Sequence, residues 1–142
     1  MSATLTGIGS TRTALRSAQR RRSAAILGTV TRHTGEVARE AKGFAPVDDG
    51  DLRESIHAVP PEAGGPRYVG RVKAEADHAP YVEFGTGVHV TIPEGQEAYA
   101  RQFYVNGEGR TEAQPFLFPA VEAIRAGFVR DVNRAADTGT DR

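Results

Sequence analysis

Small and apolar residues between positions 11 and 44 recur at Leu15, Ala18, Ile26, Val30, His33, Val37, Ala41 and Phe44, with Arg22 breaking the stripe. From Ile26 onward the spacings are four, three, four, four and three, the rhythm of one face of a 3.6-residue period. One long helix is predicted over residues 11–44. Gly28 and Gly35 weaken it by about 1 kcal/mol each relative to Ala and mark a bend or a close helix contact. Pro46 ends it, because the residue before a proline avoids the helical region. Ahead of the helix, residues 1–10 are rich in Ser, Thr and Gly without periodicity and predict an extended arm.

The rhythm then shortens. In Ala45–Ile56 (APVDDGDLRESI), Pro46 sets an extended entry, Asp48 or Asp49 is placed to cap a short helical turn, and Leu52 and Ile56 face inward four residues apart. Ile56–Pro60 and Arg67–Ala76 predict two strands around a turn at 61–66. In the second, Tyr68, Gly70, Val72 and Ala74 alternate with Val69, Arg71, Lys73 and Glu75, as in an antiparallel strand with one face in water. His78–Gly87 (HAPYVEFGTG) combines apolar bulk with two glycines for a sharp change of direction. Val88–Ile92 is a strand candidate, Pro93–Val105 an amphipathic helix with Tyr99 and Phe103 on one face, and 106–110 a turn. The stretch Gly87–Ala113 thus predicts an excursion inserted between core elements. Leu117, Val121, Ile124, Phe128 and Val132 return to helical spacing and predict a last helix with its apolar stripe inward. Residues 136–142 form a polar tail.

These elements predict one α+β domain over residues 1–142, a long N-terminal and a C-terminal helix packed on a small antiparallel sheet. A chain of this size buries roughly two-thirds of its unfolded surface. No apolar run approaches the ~20 residues of a membrane span, and the start shows no apolar core of a signal peptide. The absence of cysteine excludes disulfides and thiolate metal sites and fits folding in a reducing cytoplasm.

A formal net charge of zero conceals a split. Residues 1–45 hold eight basic and two acidic residues, a net +6, and the remainder holds ten basic and sixteen acidic, a net −6. Such a molecule can stack head to tail on copies of itself or on a partner. No acid occurs before Glu36, so Arg16, Arg20, Arg21 and Arg22 form a basic patch suited to phosphate contact or to an acidic protein surface. No aromatic residue interleaves with them, which argues against base stacking.

Catalytic constellations are sparse. His33, His57, His78 and His89 fall on different predicted elements without metal-ligand spacing. Asp77, His78 and Glu83 are the one mixed cluster that could serve a metal or acid–base site. Asp48, Asp49 and Asp51 could hold a cation, although capping explains them more simply. Ser55 and His57, two apart on a strand, point to opposite faces, which disfavours a nucleophile–base pair. No cofactor is implied.

Three stretches taken in order, APVDDGDLRESI, HAPYVEFGTG and AQPFLFPAVEA, resemble the tail-component (gene-product-ten-like) family of Hong Kong 97-type siphophages. That family's pattern is an APVDTG-x-LR-x-SI segment, a YA-x-YVEFGT segment and a PFL-x-PA segment. Ala45–Ile56 matches the first with Asp49 where Thr is usual; Ala79–Thr86 matches the second with Pro80 between Ala79 and Tyr81; Pro115–Ala120 matches the third. The resemblance extends over about residues 15–132 and marks Pro46, Asp49, Gly50, Leu52, Tyr81, Glu83, Phe84, Gly85, Thr86, Pro115, Phe116 and Pro119 as structural corners.

The resemblance implies a non-enzymatic virion protein of a tailed phage, assembled in the host cytoplasm. It would form a homo-oligomeric ring, a hexamer or else a dodecamer, in the neck that joins head to tail. Its partners would be its own copies, the adjacent neck proteins and phage DNA in the channel, with no membrane. Tyr99, Phe103 and Tyr104 would meet a neighbour, and Arg16–Arg22 the channel or a neighbouring ring. A small DNA-binding or packaging accessory protein is the alternative.

Overall fold

A computed structural model describes residues 8–48, 50–62, 67–100 and 109–138; Asp49, Phe103 and Tyr104 fall outside them. Helix α1 spans Ile8–Phe44 and so extends into the segment whose composition predicts an extended arm. Polar residues are accommodated there because Thr13 Oγ1 donates to the Gly9 carbonyl (3.0 Å) and Ser17 Oγ to that of Ala14 (2.8 Å). The apolar period is missing because residues 9–16 are all exposed: a helix with no buried face needs no stripe.

The buried positions of α1 are Val30, His33, Thr34, Ala38 and Ala41, and Ala45 follows directly after it. Phe44, expected inside, is 47% exposed, and the neighbouring Ala45 takes the core position. Leu15 likewise lies in solvent. A Cβ on Gly28 or Gly35 would meet nothing within 4 Å, so neither marks a close contact.

Helix α2 (Asp51–Ser55) is capped differently from the expectation. Its N-cap is Gly50, at φ 94°, and no side chain caps it; the Glu54 N–H bonds the Gly50 carbonyl instead (3.0 Å). A left-handed backbone favours glycine there. Strands β1 (Ile56–Val59) and β2 (Arg71–Ala74) pair antiparallel, Ile56 opposite Ala74 and Val59 opposite Arg71. The ladder is shorter than the alternation predicts because Pro60 and Pro61 have no N–H to continue it. Val72 and Ala74 turn inward while Arg71 and Lys73 are exposed, as the alternation predicts. Just before β2, Gly70 lies so close to α1 that a Cβ would fall on the Thr34 hydroxyl.

Helix α3 (Ala79–Phe84) occupies a stretch that reads in sequence as a bend, with Pro80 in the first turn, where a missing N–H is harmless. Val88–Ile92 is not a strand: Gly87–His89 makes a single 3₁₀ turn, and Thr91 N–H bonds the Phe84 carbonyl rather than a partner strand. The helix expected over 93–105 does not start at Pro93: residues 93–96 form a turn in which Gln96 N–H bonds the Pro93 carbonyl (3.1 Å), α4 covers Glu97–Ala100, and 101–105 lie outside the described residues. Helix α5 runs Leu117–Asp137.

Ala38, Ala41, Ala45, Leu52, Ile56, Ala79, Phe116 and Ala120 make one core. Helices α1 and α5 are antiparallel, since Arg32 and His33 meet Asp131 while Ala41 shares the core with Ala120. The face that α5 buries overlaps its large apolar stripe at one edge: Leu117 packs on the core and Phe128 on His33, both half-buried. Ala120 and Ala135 are the buried residues, and Gly127 lies against His33. Val121 and Val129 are about half exposed. Small residues on this face let the two helix axes approach.

Candidate functional site

The last helix begins without a capping side chain of its own. Its first-turn donors are served from 33 residues away. Glu83 Oε2 accepts from Phe116 N–H (2.8 Å) and Leu117 N–H (2.9 Å), and Oε1 from Phe118 N–H (2.8 Å). Pro119, next in line, has no N–H. Every donor a helix start leaves unpaired is therefore either bonded to Glu83 or absent. The carboxylate is 5% exposed and sits at the positive end of the α5 dipole, which favours its charge. The motif residues Glu83, Phe116 and Pro119 are thus brought together as one cap.

The same region fixes the roots of the 87–113 excursion. Thr86 N–H bonds the Thr111 carbonyl (2.9 Å), Thr111 N–H returns to Thr86 Oγ1 (3.0 Å), and Gln114 N–H bonds the Val82 carbonyl (2.8 Å). Gly85, at φ 74°, is hemmed by the His89 carbonyl and the Ala113 nitrogen, so no side chain fits. Phe84 and Leu52 are buried, Tyr81 half-buried and Pro115 exposed. Pro46 stands beyond the end of α1, and Gly50 caps α2. The contacts expected of Tyr99, Phe103 and Tyr104 concern side chains outside the described residues.

A polar node missed by the sequence reading joins α1 to α5. His33, expected merely to fill the apolar stripe, has its side chain 7% exposed between two carboxylates. Nδ1 lies 2.8 Å from Glu36 Oε2, off the hydrogen-bonding direction, and Nε2 lies 3.2 Å from Asp131 Oδ2. Arg32 donates to that same oxygen (2.8 Å), and Phe128 meets the imidazole edge to face (5.5 Å, 81°). Hydrogen bonds from Arg32 and then His33 hold the Asp131 carboxyl down at about 2, from its ordinary 3.8. The carboxylates flank opposite ring nitrogens, so the arrangement ties two helices instead of surrounding a metal. Only the i, i+3 spacing of His33 and Glu36 signals this in the sequence.

The residues weighed as chemical sites do not assemble into one. Asp77 and His78 are exposed, while Glu83 is buried and committed to backbone N–H groups. Ser55 ends α2, not a strand, and donates to the Leu52 carbonyl (2.8 Å). The His57 ring turns to Glu75 (3.4 Å). Among the described residues no cluster of three or more His, Cys, Asp or Glu could hold a metal, and no helix is long and apolar enough to cross a membrane.

What the molecule does present is surface. Arg16, Arg20, Arg21 and Arg22 are exposed on the first half of α1. Beside α5, a cleft of about 980 Å³ lies between α1, β2 and α5, lined by Val30, Tyr68, Val69, Val121 and Phe128 among others. A family model described as "Bacteriophage HK97-gp10, putative tail-component" matches residues 14–85, just over half of the chain. No curated protein and no solved structure matches.

Proposed function

The chain belongs to the HK97-gp10-like family of bacteriophage tail components, and from that premise we propose that it is a structural subunit of the phage neck. Copies of it form a ring, a hexamer, that joins head to tail around the DNA channel. The protein works by contact and not by catalysis, in the assembled virion, and its partners are its own copies, the adjoining neck proteins and the DNA in the lumen.

One observation carries this reading. At 1.5 Å per residue, the 37-residue α1 is about 55 Å long and the 21-residue α5 about 31 Å. At least 16 residues of α1 therefore extend past anything α5 can cover, and residues 9–16 are exposed throughout. Isolated helices of that length are marginal in water, and this one is rich in Ser, Thr and Gly. Such a segment fits a protein completed by neighbours. Closed cyclic contacts also cover the edges of a two-stranded sheet.

Native mass spectrometry of the purified chain, alone and with its neck partners, tests the proposal, with subunits counted in images of particle necks. Rings are expected; a chain that stays monomeric with every partner present refutes it. The acid-free run of arginines favours a second reading, a DNA-binding or packaging accessory protein. DNA retention by the isolated monomer that falls steeply with salt, and is lost on changing Arg20, Arg21 and Arg22 to Ala, supports that reading.

A further inference from the structure

The two ends of α1 differ in a way that specifies how copies meet. On the N-terminal half, Arg12, Arg16 and Arg20 follow one another at four-residue spacing, which places them along one side of the helix. Leu15, 70% exposed, lies among them. At the far end, Phe44 and Val47 are 47% and 65% exposed, and Asp48, Asp51 and Glu54 around them are exposed as well. One pole is a basic rod with an apolar anchor. The other is an acidic surface with two exposed apolar side chains, and Leu15 and Phe44 stand about 44 Å apart along the same helix.

We propose that the basic half of α1 in one copy docks on the Phe44–Glu54 pole of the next, Leu15 against Phe44 and Val47, with the arginines facing Asp48, Asp51 and Glu54. The inference rests on the ring reading and supplies its interface. The contact is heterologous: each copy offers one surface of each kind, so a chain of contacts closes into a ring when the rotation permits. Charge complementarity fixes direction and register, and the apolar anchors supply affinity. A second copy suits this rod better than a nucleic acid does, because an exposed leucine among the arginines finds no partner on a phosphate backbone.

The test uses the full chain in three forms: Arg12→Glu, Arg16→Glu, Arg20→Glu together; Asp48→Lys with Glu54→Lys; and all five at once. Every changed side chain is exposed, so circular dichroism is expected to match the original chain. Each one-sided reversal raises the concentration needed for assembly at least tenfold, and the five-fold variant, which swaps both surfaces, restores it. Because the chain has no cysteine, Leu15→Cys with Val47→Cys gives a second readout. Oxidation is expected to yield a ladder of linked copies up to the full ring, and neither single cysteine goes beyond a dimer.

Reversals that assemble like the original chain, or a failure of the five-fold variant to restore assembly, overturn this interface and leave the ring standing. An original chain that forms no ring removes the ring reading and this interface with it. Unchanged assembly with lost DNA retention moves the rod to DNA and overturns the interface.

Discussion

Replacing Glu83 with Ala strips the first turn of α5 of its three acceptor bonds at once. Each of Phe116, Leu117 and Phe118 would leave a donor unpaired in or near the core, at about 1–3 kcal/mol apiece. The sum approaches 9 kcal/mol at its upper end, but the vacated side-chain volume admits water that rebonds one donor or more. The expected loss is about 3–5 kcal/mol, a large part of the ~5–15 kcal/mol that holds a domain folded. Glu83→Gln keeps the shape but loses the charge and turns an NH₂ toward a backbone N–H, so about 2 kcal/mol is expected. Urea unfolding followed by circular dichroism measures both, and amide exchange at residues 116–118 reports the local opening. A Glu83→Ala chain that loses under about 1 kcal/mol with an unchanged denaturant slope would falsify the assignment of Glu83 as the cap.

Two further substitutions test other contacts. The depressed carboxyl of Asp131 means that its stabilising contribution is complete above about pH 4 and disappears as pH falls toward 2, because the unfolded chain binds a proton there before the folded one does. Asp131→Asn should lower stability at neutral pH and flatten that acid limb in a pH series of thermal melts; an unchanged limb contradicts the pairing with Arg32 and His33. Gly70→Ala should cost about 1–3 kcal/mol by overpacking against Thr34, with part regained in the Gly70→Ala, Thr34→Ala pair, whose remaining Cβ is still tight at 3.0 Å. Simple additivity of the two in denaturant melts contradicts the clash.

How far the sequence discloses this fold depends on where each signal lies. Helix α1 is legible from Ile26 to Ala41 because its buried face repeats locally, and the alternation of Arg71, Val72, Lys73 and Ala74 is legible for the same reason. The helix is nevertheless placed correctly back to residue 11, and only its first turn, Ile8–Ser10, is misread as an arm, since an exposed helix end imprints no stripe. The inward face of α5 is only partly legible: hydrophobic size marks Leu117 and Phe128, which do pack inward, and Val121, which is 43% exposed, whereas close approach of two helices selects Ala120, Gly127 and Ala135. Pairings across long separations leave no local trace: Glu83 with Phe118, and His33 with Asp131. The resemblance flags Glu83 and Phe116 without saying that one bonds the other's backbone. The arginines read as a surface patch from the sequence, and the structure adds that the rod bearing them extends past α5.

The family match itself ends at Gly85, two residues after Glu83, and the donors that Glu83 serves begin at Phe116. Residues 14–85 alone would leave Glu83 without its three backbone partners, and would expose Ile56 and Ala41, which are fully buried in a core that Phe116 and Ala120 complete. Exposing that apolar surface forfeits about 25 cal/mol for each Å² returned to water. The matched segment therefore needs α5 to fold. A chain truncated after residue 110 is expected to lose cooperative unfolding, and a separate peptide of residues 111–142 should restore it on addition. Restoration should fail with the Glu83→Ala fragment, since the peptide's first turn would then have no acceptor to meet. A cooperative melt from the truncated chain alone would show that the cap is dispensable and that α5 merely decorates a finished core.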